Sequence, residues 1–272
     1  MFLFFLLAYA ITWAVWVPRA LGFAWAEAVG VAWSYGPLLA ATATVLLTEG
    51  TQSVRAFAKS LERWRFGLRW YAGIILGPAA LAVVVAGVST VFGVPWSEAV
   101  PVIFGEPFPI FLLLFVILSL TDGLGEEAGW RGFALPRMLQ GRNATLASLL
   151  LGVLWAGWHL PLFFTDGSAL DGSAIWVVMA RLPATAIIFT WVFTHTRGSA
   201  IAAIMLHASL NLFAVAPASG AATLVPDIIH LIAHWLIAVT LVVVAGSERL
   251  DGWPMARQTI HNADSPPDRA NA

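Results

Sequence analysis

The chain alternates between long apolar runs and short polar stretches. A helix needs roughly 20 apolar residues to cross a bilayer. Met1–Val17, Val31–Leu47, Trp70–Phe92, Ala144–Phe164, Ile175–Phe193, Ser199–Ala216 and Ile228–Ala245 read as such spans. Between the third and fifth spans, another begins at Phe111–Leu120 and meets a polar break, Thr121-Asp122-Gly123-Leu124-Gly125. It resumes as a helix from Glu126 to Leu139. At about 1.5 Å per residue, this stretch is too long for one straight crossing. Irregular backbone is tolerated at membrane depth where it lines a polar cavity. The pattern therefore predicts an all-α, polytopic transmembrane helical bundle of about eight spans over residues 1–246. A motif-bearing core lies at 121–216, and the polar tail 247–272 is expected to be disordered.

Thr48–Arg69 is different. It carries Arg55, Lys59, Arg63, Arg65 and Arg69, and its apolar residues Phe57, Leu61, Trp64 and Leu68 recur every three or four positions. This suits an amphipathic helix at the membrane interface, the plain alternative being a cytoplasmic loop. Basic residues also cluster at Arg137–Arg142, at Arg197 and in the tail, whereas the alternate loops are acidic or nearly uncharged. With eight crossings, this bias puts both termini in the cytoplasm.

Composition agrees with a membrane protein: 60% of residues are hydrophobic and 11% charged, with a mean hydropathy of +0.83. The net charge of -1 gives no case for nucleic-acid binding, and the absence of cysteine excludes disulfides, thiol catalysis and cysteine-bound metal. Met1–Val17 lacks a basic leader and a small-residue cleavage site, so it is expected to stay as a span.

Against this background the adjacent carboxylates Glu126 and Glu127 are costly. On a helix Glu127 and Arg131 share a face and can pair, while Glu126 points about 100° away, free to face a cavity. The plain reading is a solvated helix end with ordinary charges. The fifth span holds Trp155-Ala156-Gly157-Trp158-His159, and the seventh holds His207-Ala208-Ser209-Leu210-Asn211, whose His207 and Asn211 face the same way. A single intramembrane histidine often serves only to bond one helix to another. Two Glu, two His, an Arg and an Asn on three spans are instead the parts for hydrolysis: a base for water, and donors for an oxyanion.

Glu126-Glu127-Ala128-Gly129-Trp130-Arg131 resembles the EExxxR motif of the CPBP family, the CAAX prenyl proteases and bacteriocin-processing enzymes also called the Abi family. Trp155–His159 resembles its FxxxH motif and His207–Asn211 its HxxxN motif, in the family's order. The departure is Trp155 for Phe, an aromatic exchange expected to bear on packing more than on chemistry. The resemblance implies an intramembrane endopeptidase. Glu126 would be the base, His159 would position water, His207 and Asn211 would form the oxyanion site, and Glu127 and Arg131 would support it electrostatically. Its substrate would be a membrane-associated peptide or protein, such as a prenylated CAAX terminus, a bacteriocin or a signal peptide, met in membrane lipid. Several members are called metalloproteases, and Glu126, His159 and His207 could supply three zinc ligands with an open position. No HExxH is present. The version without a cofactor is favoured, since a carboxylate in an apolar cavity has the basicity the step needs; Zn2+ is the alternative.

Other polar residues carry weaker signals. His230 and His234 resemble a metal pair, but Leu231 stands where a zincin has Glu, which favours interfacial hydrogen bonding. Arg181 needs a partner, for which Asp122 is a candidate, or lines the substrate path; Asp122 otherwise supports the site or caps a helix at the break. His195 and His261 are expected to be solvated, and the tryptophans to serve packing and the interface belt. The competing functions are a non-catalytic immunity or scaffold protein and a proton-coupled transporter. The lack of an internal repeat argues against the transporter.

Overall fold

Apolar length, rather than local propensity, determines most of the architecture. The computed structural model describes residues 1–29, 34–214 and 224–250, and all regular structure there is helical. The principal helices are α1 (Phe2–Ala20), α2 (Gly36–Glu49), α3 (Thr51–Leu61), α4 (Leu68–Val91), α5 (Phe108–Met138), α6 (Ala144–Trp158), α7 (Ile175–His195), α8 (Ala200–Ala214) and α9 (Leu224–Ala245). Among the described residues, six segments are long and apolar enough to cross a membrane: α1, α4, α5, α7, α9, and α6 together with its 3-10 extension to Phe164. The chain is an integral membrane protein. The remaining two expected spans form the shorter helices α2 and α8, of 14 and 15 residues. At about 1.5 Å per residue they rise about 21–23 Å, short of the ~30 Å hydrocarbon core. Val31 to Trp33 and Val215 to Ala216, the outer ends of those expected spans, lie outside the described residues.

α5 is the axis of the bundle. It runs between α2 on one side and α8 on the other, while α6 pairs with α7 and α7 with α9. The expected break at Thr121–Gly125 does not interrupt it. The helix continues through two wide π turns, Ser119–Gly123 and Trp130–Ala134, which bracket the α-helical Leu124–Gly129. A π turn accommodates the polar sequence by loosening the helix while keeping its backbone bonded internally, as lipid requires. A carbonyl at the first π turn, that of Leu120, accepts from the Tyr35 hydroxyl.

Glycines bring the neighbouring backbones close to α5. A Cβ on Gly125 would sit 2.5 Å from the Ser34 carbonyl oxygen, one on Gly129 2.5 Å from Pro37, and one on Gly123 2.9 Å from the Ile204 carbonyl oxygen. These are the small-residue contacts on which helix pairing in lipid depends. Gly129→Ala is expected to destabilise the fold by about 1–3 kcal/mol through overpacking. Thermal unfolding in detergent checks this; an unchanged melting temperature would contradict the contact.

The basic amphipathic stretch forms a helix over Thr51–Leu61, with the rest non-helical up to α4. Its buried Phe57 meets Phe133 edge-on, and Leu61 lies over Gly132, so its apolar face rests on the end of α5. The first residues of the expected tail are not free. Ala144 and Thr145 at the start of α6 donate backbone bonds to the Glu248 and Ser247 carbonyls. The fully buried Leu250 accepts from Thr194 at the end of α7. These contacts satisfy helix-terminal amides that otherwise lack partners. The rest of the tail, 251–272, lies outside the described residues.

Candidate active site

The short α-helical segment between the two π turns carries Glu126 and Glu127, both buried. Successive positions on a helix point in different directions, and here they serve two different sets of partners. Glu127 Oε1 accepts from Arg131 Nη1 at 2.9 Å and from His207 Nδ1 at 2.8 Å. Arg131 is fully buried, with its guanidinium between the rings of Trp155 (4.3 Å) and Phe189 (4.2 Å). Two aromatic faces and one carboxylate thus hold a charge that lipid would not tolerate alone.

Glu126 turns the other way. Its Oε2 accepts from the Trp155 indole N–H at 2.7 Å. The Nε2 atoms of His159 and His207 lie 3.9 Å from Oε2 and Oε1 respectively. One carboxylate therefore sits between imidazoles from two other helices. Each ring is fixed from behind: His159 Nδ1 is 2.8 Å from the Trp155 carbonyl, and His207 Nδ1 bonds Glu127. Because a carbonyl and a carboxylate can only accept, both Nδ1 atoms carry protons and both Nε2 atoms turn to Glu126. His159 ends α6 as its C-cap, where the chain passes into the 3-10 turn Leu160–Phe164.

Asn211 lies one turn beyond His207 on α8, and its Nδ2 donates to Asp122 Oδ2 at 3.3 Å. Asp122 lies on the first π turn, one turn before Glu126, and its Oδ1 accepts from Ser34 Oγ at 2.7 Å. The structure thus brings Glu126, Glu127, Arg131, His159 and His207 into one connected group. Asn211 joins it through its own helix and through Asp122.

Several sequence expectations change. Trp155 is more than a packing substitute for Phe, because its indole N–H bonds Glu126, which a phenyl ring cannot do. Only the residue's donor inventory could have signalled this. Asp122 is not the partner of Arg181; the acid whose charge acts on Arg181 is Asp227 in α9. His195 is half-buried against Trp70 and Trp191, with Nδ1 2.9 Å from the Trp191 carbonyl, so it is not simply solvated. His261 lies outside the described residues. His234 Nδ1 bonds the His230 carbonyl at 2.7 Å.

Glu126, His159 and His207 are donor types that zinc accepts. Tetrahedral zinc with ligand bonds of about 2.0–2.1 Å holds its donors roughly 3.3–3.5 Å apart. The 3.9 Å separations at Glu126 are wider. No group of three His, Asp or Glu among the described residues is arranged to hold a metal ion.

The fold and site define a class: a polytopic helical membrane protein with a carboxylate–imidazole centre buried between its spans. Residues 108–213, which contain that centre, match the family described as type II CAAX prenyl endopeptidase, Rce1-like. The CAAX prenyl protease 2 of Methanococcus maripaludis is 33% identical over 115 residues, covering 40% of this chain and 42% of that protein. The chain therefore spans about two fifths of the length of the curated relative it matches. The likeness to CAAX-type proteases thus lies over the motif-bearing part of the chain.

Proposed function

We propose that the protein is an intramembrane endopeptidase that hydrolyses peptide bonds of membrane-associated peptides or proteins with water activated by Glu126 and His159. The observation that carries this reading is the Glu126 carboxylate held between two Nε2 atoms whose rings are fixed through Nδ1. A separation of 3.9 Å exceeds a direct hydrogen bond, and one water can bond both groups across such a gap. His159 Nε2, unprotonated, accepts from that water, and Glu126 takes its proton as the oxygen attacks the scissile carbonyl carbon. The carbonyl oxygen becomes an oxyanion, stabilised by Asn211 and by His207 when its Nε2 is also protonated, with Glu127 as counter-ion. When the C–N bond breaks, Glu126 returns the proton to the leaving amine. Arg131 completes the support by neutralising Glu127.

A prenylated C-terminal CAAX peptide is the substrate favoured by the likeness to the Methanococcus maripaludis CAAX prenyl protease 2, ahead of bacteriocins and signal peptides. Both termini face the cytoplasm in this reading, which the placement of basic residues supports. Asn211→Ala is expected to lower kcat by about 10²–10³ and leave a measurable rate, the loss typical of one oxyanion donor. Steady-state cleavage of a prenylated peptide by purified protein in detergent checks this, and an unchanged kcat would remove Asn211 from the site. The metal-free step further predicts full activity after exhaustive chelation. Loss on chelation that added zinc restores would instead establish zinc catalysis.

A further inference from the structure

We propose that Asp122 is a positioning residue for Asn211, held in turn by Ser34. The inference rests on the endopeptidase reading above, in which Asn211 is an oxyanion donor, and adds to it a residue outside the three family motifs. Its basis is a chain of contacts across three helical segments. Ser34 Oγ, buried just before α2, donates to Asp122 Oδ1 at 2.7 Å, and Asn211 Nδ2 on α8 donates to Asp122 Oδ2 at 3.3 Å. Each carboxylate oxygen thus has its own donor, and the carboxylate cannot turn without losing one of them.

The carboxamide of Asn211 has two N–H donors. One is taken by Asp122, which sets the plane of the amide and leaves the second N–H as its remaining donor for a developing oxyanion. An amide without that tether rotates freely about its last torsion, and small misplacements of such donors are expensive in rate. The backbone is arranged to deliver Asp122. Its residue lies in the π turn Ser119–Gly123, whose Leu120 carbonyl is bound by the Tyr35 hydroxyl, next to Ser34 in sequence. Gly125 lets Ser34 approach, since any Cβ there would lie 2.5 Å from its carbonyl oxygen. π turns of this kind often re-aim a side chain at a functional site.

The test uses the purified full-length protein and a prenylated CAAX peptide, with kcat and KM measured for Asp122→Ala, Asp122→Asn, Ser34→Ala, Asn211→Ala and the Asp122→Ala/Asn211→Ala double variant. Asp122→Ala is expected to lower kcat by about tenfold or more with little change in KM. Asp122→Asn keeps an acceptor and is expected to stay within about threefold of the wild type, and Ser34→Ala to fall between the two. The double variant is expected to be no slower than Asn211→Ala alone, because both changes remove one function. A wild-type kcat for Asp122→Ala beside an impaired Asn211→Ala would overturn the proposal, as would losses that multiply in the double variant. Wild-type activity of Asn211→Ala would instead overturn the oxyanion reading itself. Should Asp122→Ala fail to fold, Ser34→Ala in the presence and absence of Asn211 decides the question: a kcat loss only when Asn211 is present supports the tether, and any other pattern contradicts it.

Discussion

Purified Glu126→Gln is expected to cleave at the background rate while folding normally. The substitution keeps the side chain's size and an oxygen that can accept from the Trp155 indole, so the packing around it survives. What disappears is the carboxylate that, among the described residues, faces both His159 Nε2 and His207 Nε2. Glutamine cannot accept the proton of the attacking water, and activated water is the step on which hydrolysis rests. His159→Ala is expected to fall close to the same level, because water is then no longer held against the carboxylate. Losing either member of a pair that acts together costs about as much as losing both, so the double variant is expected to be no slower than either single one. Thermal unfolding alongside activity separates this result from misfolding.

Arg131→Met is expected to have the largest effect on stability, about 3–5 kcal/mol, because it removes one partner of a buried ion pair. Arg131 and Glu127 are both fully buried and 2.9 Å apart. Methionine fills the space between Trp155 and Phe189 but leaves the Glu127 carboxylate with His207 as its remaining hydrogen-bond donor. Replacing both partners, as Glu127→Gln with Arg131→Met, is expected to recover part of the loss, since no uncompensated charge is then buried. Unfolding in detergent checks both; a single variant within about 1 kcal/mol of wild type would mean that the pair is not what holds Glu127.

Much of this was legible in the sequence because it follows from periodicity and cost. Long apolar runs specify helices, and the i,i+4 spacing of Glu127 and Arg131 permits the pair that forms. What could not be read was tertiary. The polar sequence Thr121–Gly125 signals irregularity, but whether the helix breaks or widens depends on Tyr35 and Ser34 packing against it. Within the described residues the expected spans at α2 and α8 are helices of 14 and 15 residues packed beside α5, and which of their faces meet α5 is set by packing that hydropathy does not record. The bond from Trp155 to Glu126 joins residues 29 positions apart in sequence, and no local pattern announces it. The same holds for Asp122 and Asn211, 89 positions apart.

The most direct test of the central claim is cleavage of a prenylated CAAX peptide by the purified wild-type protein in ¹⁸O-labelled water, read by mass spectrometry after exhaustive chelation. The expected product is an internal cleavage whose new carboxyl terminus carries one ¹⁸O atom, with no such product from Glu126→Gln. Labelled product from Glu126→Gln at the wild-type rate would contradict it.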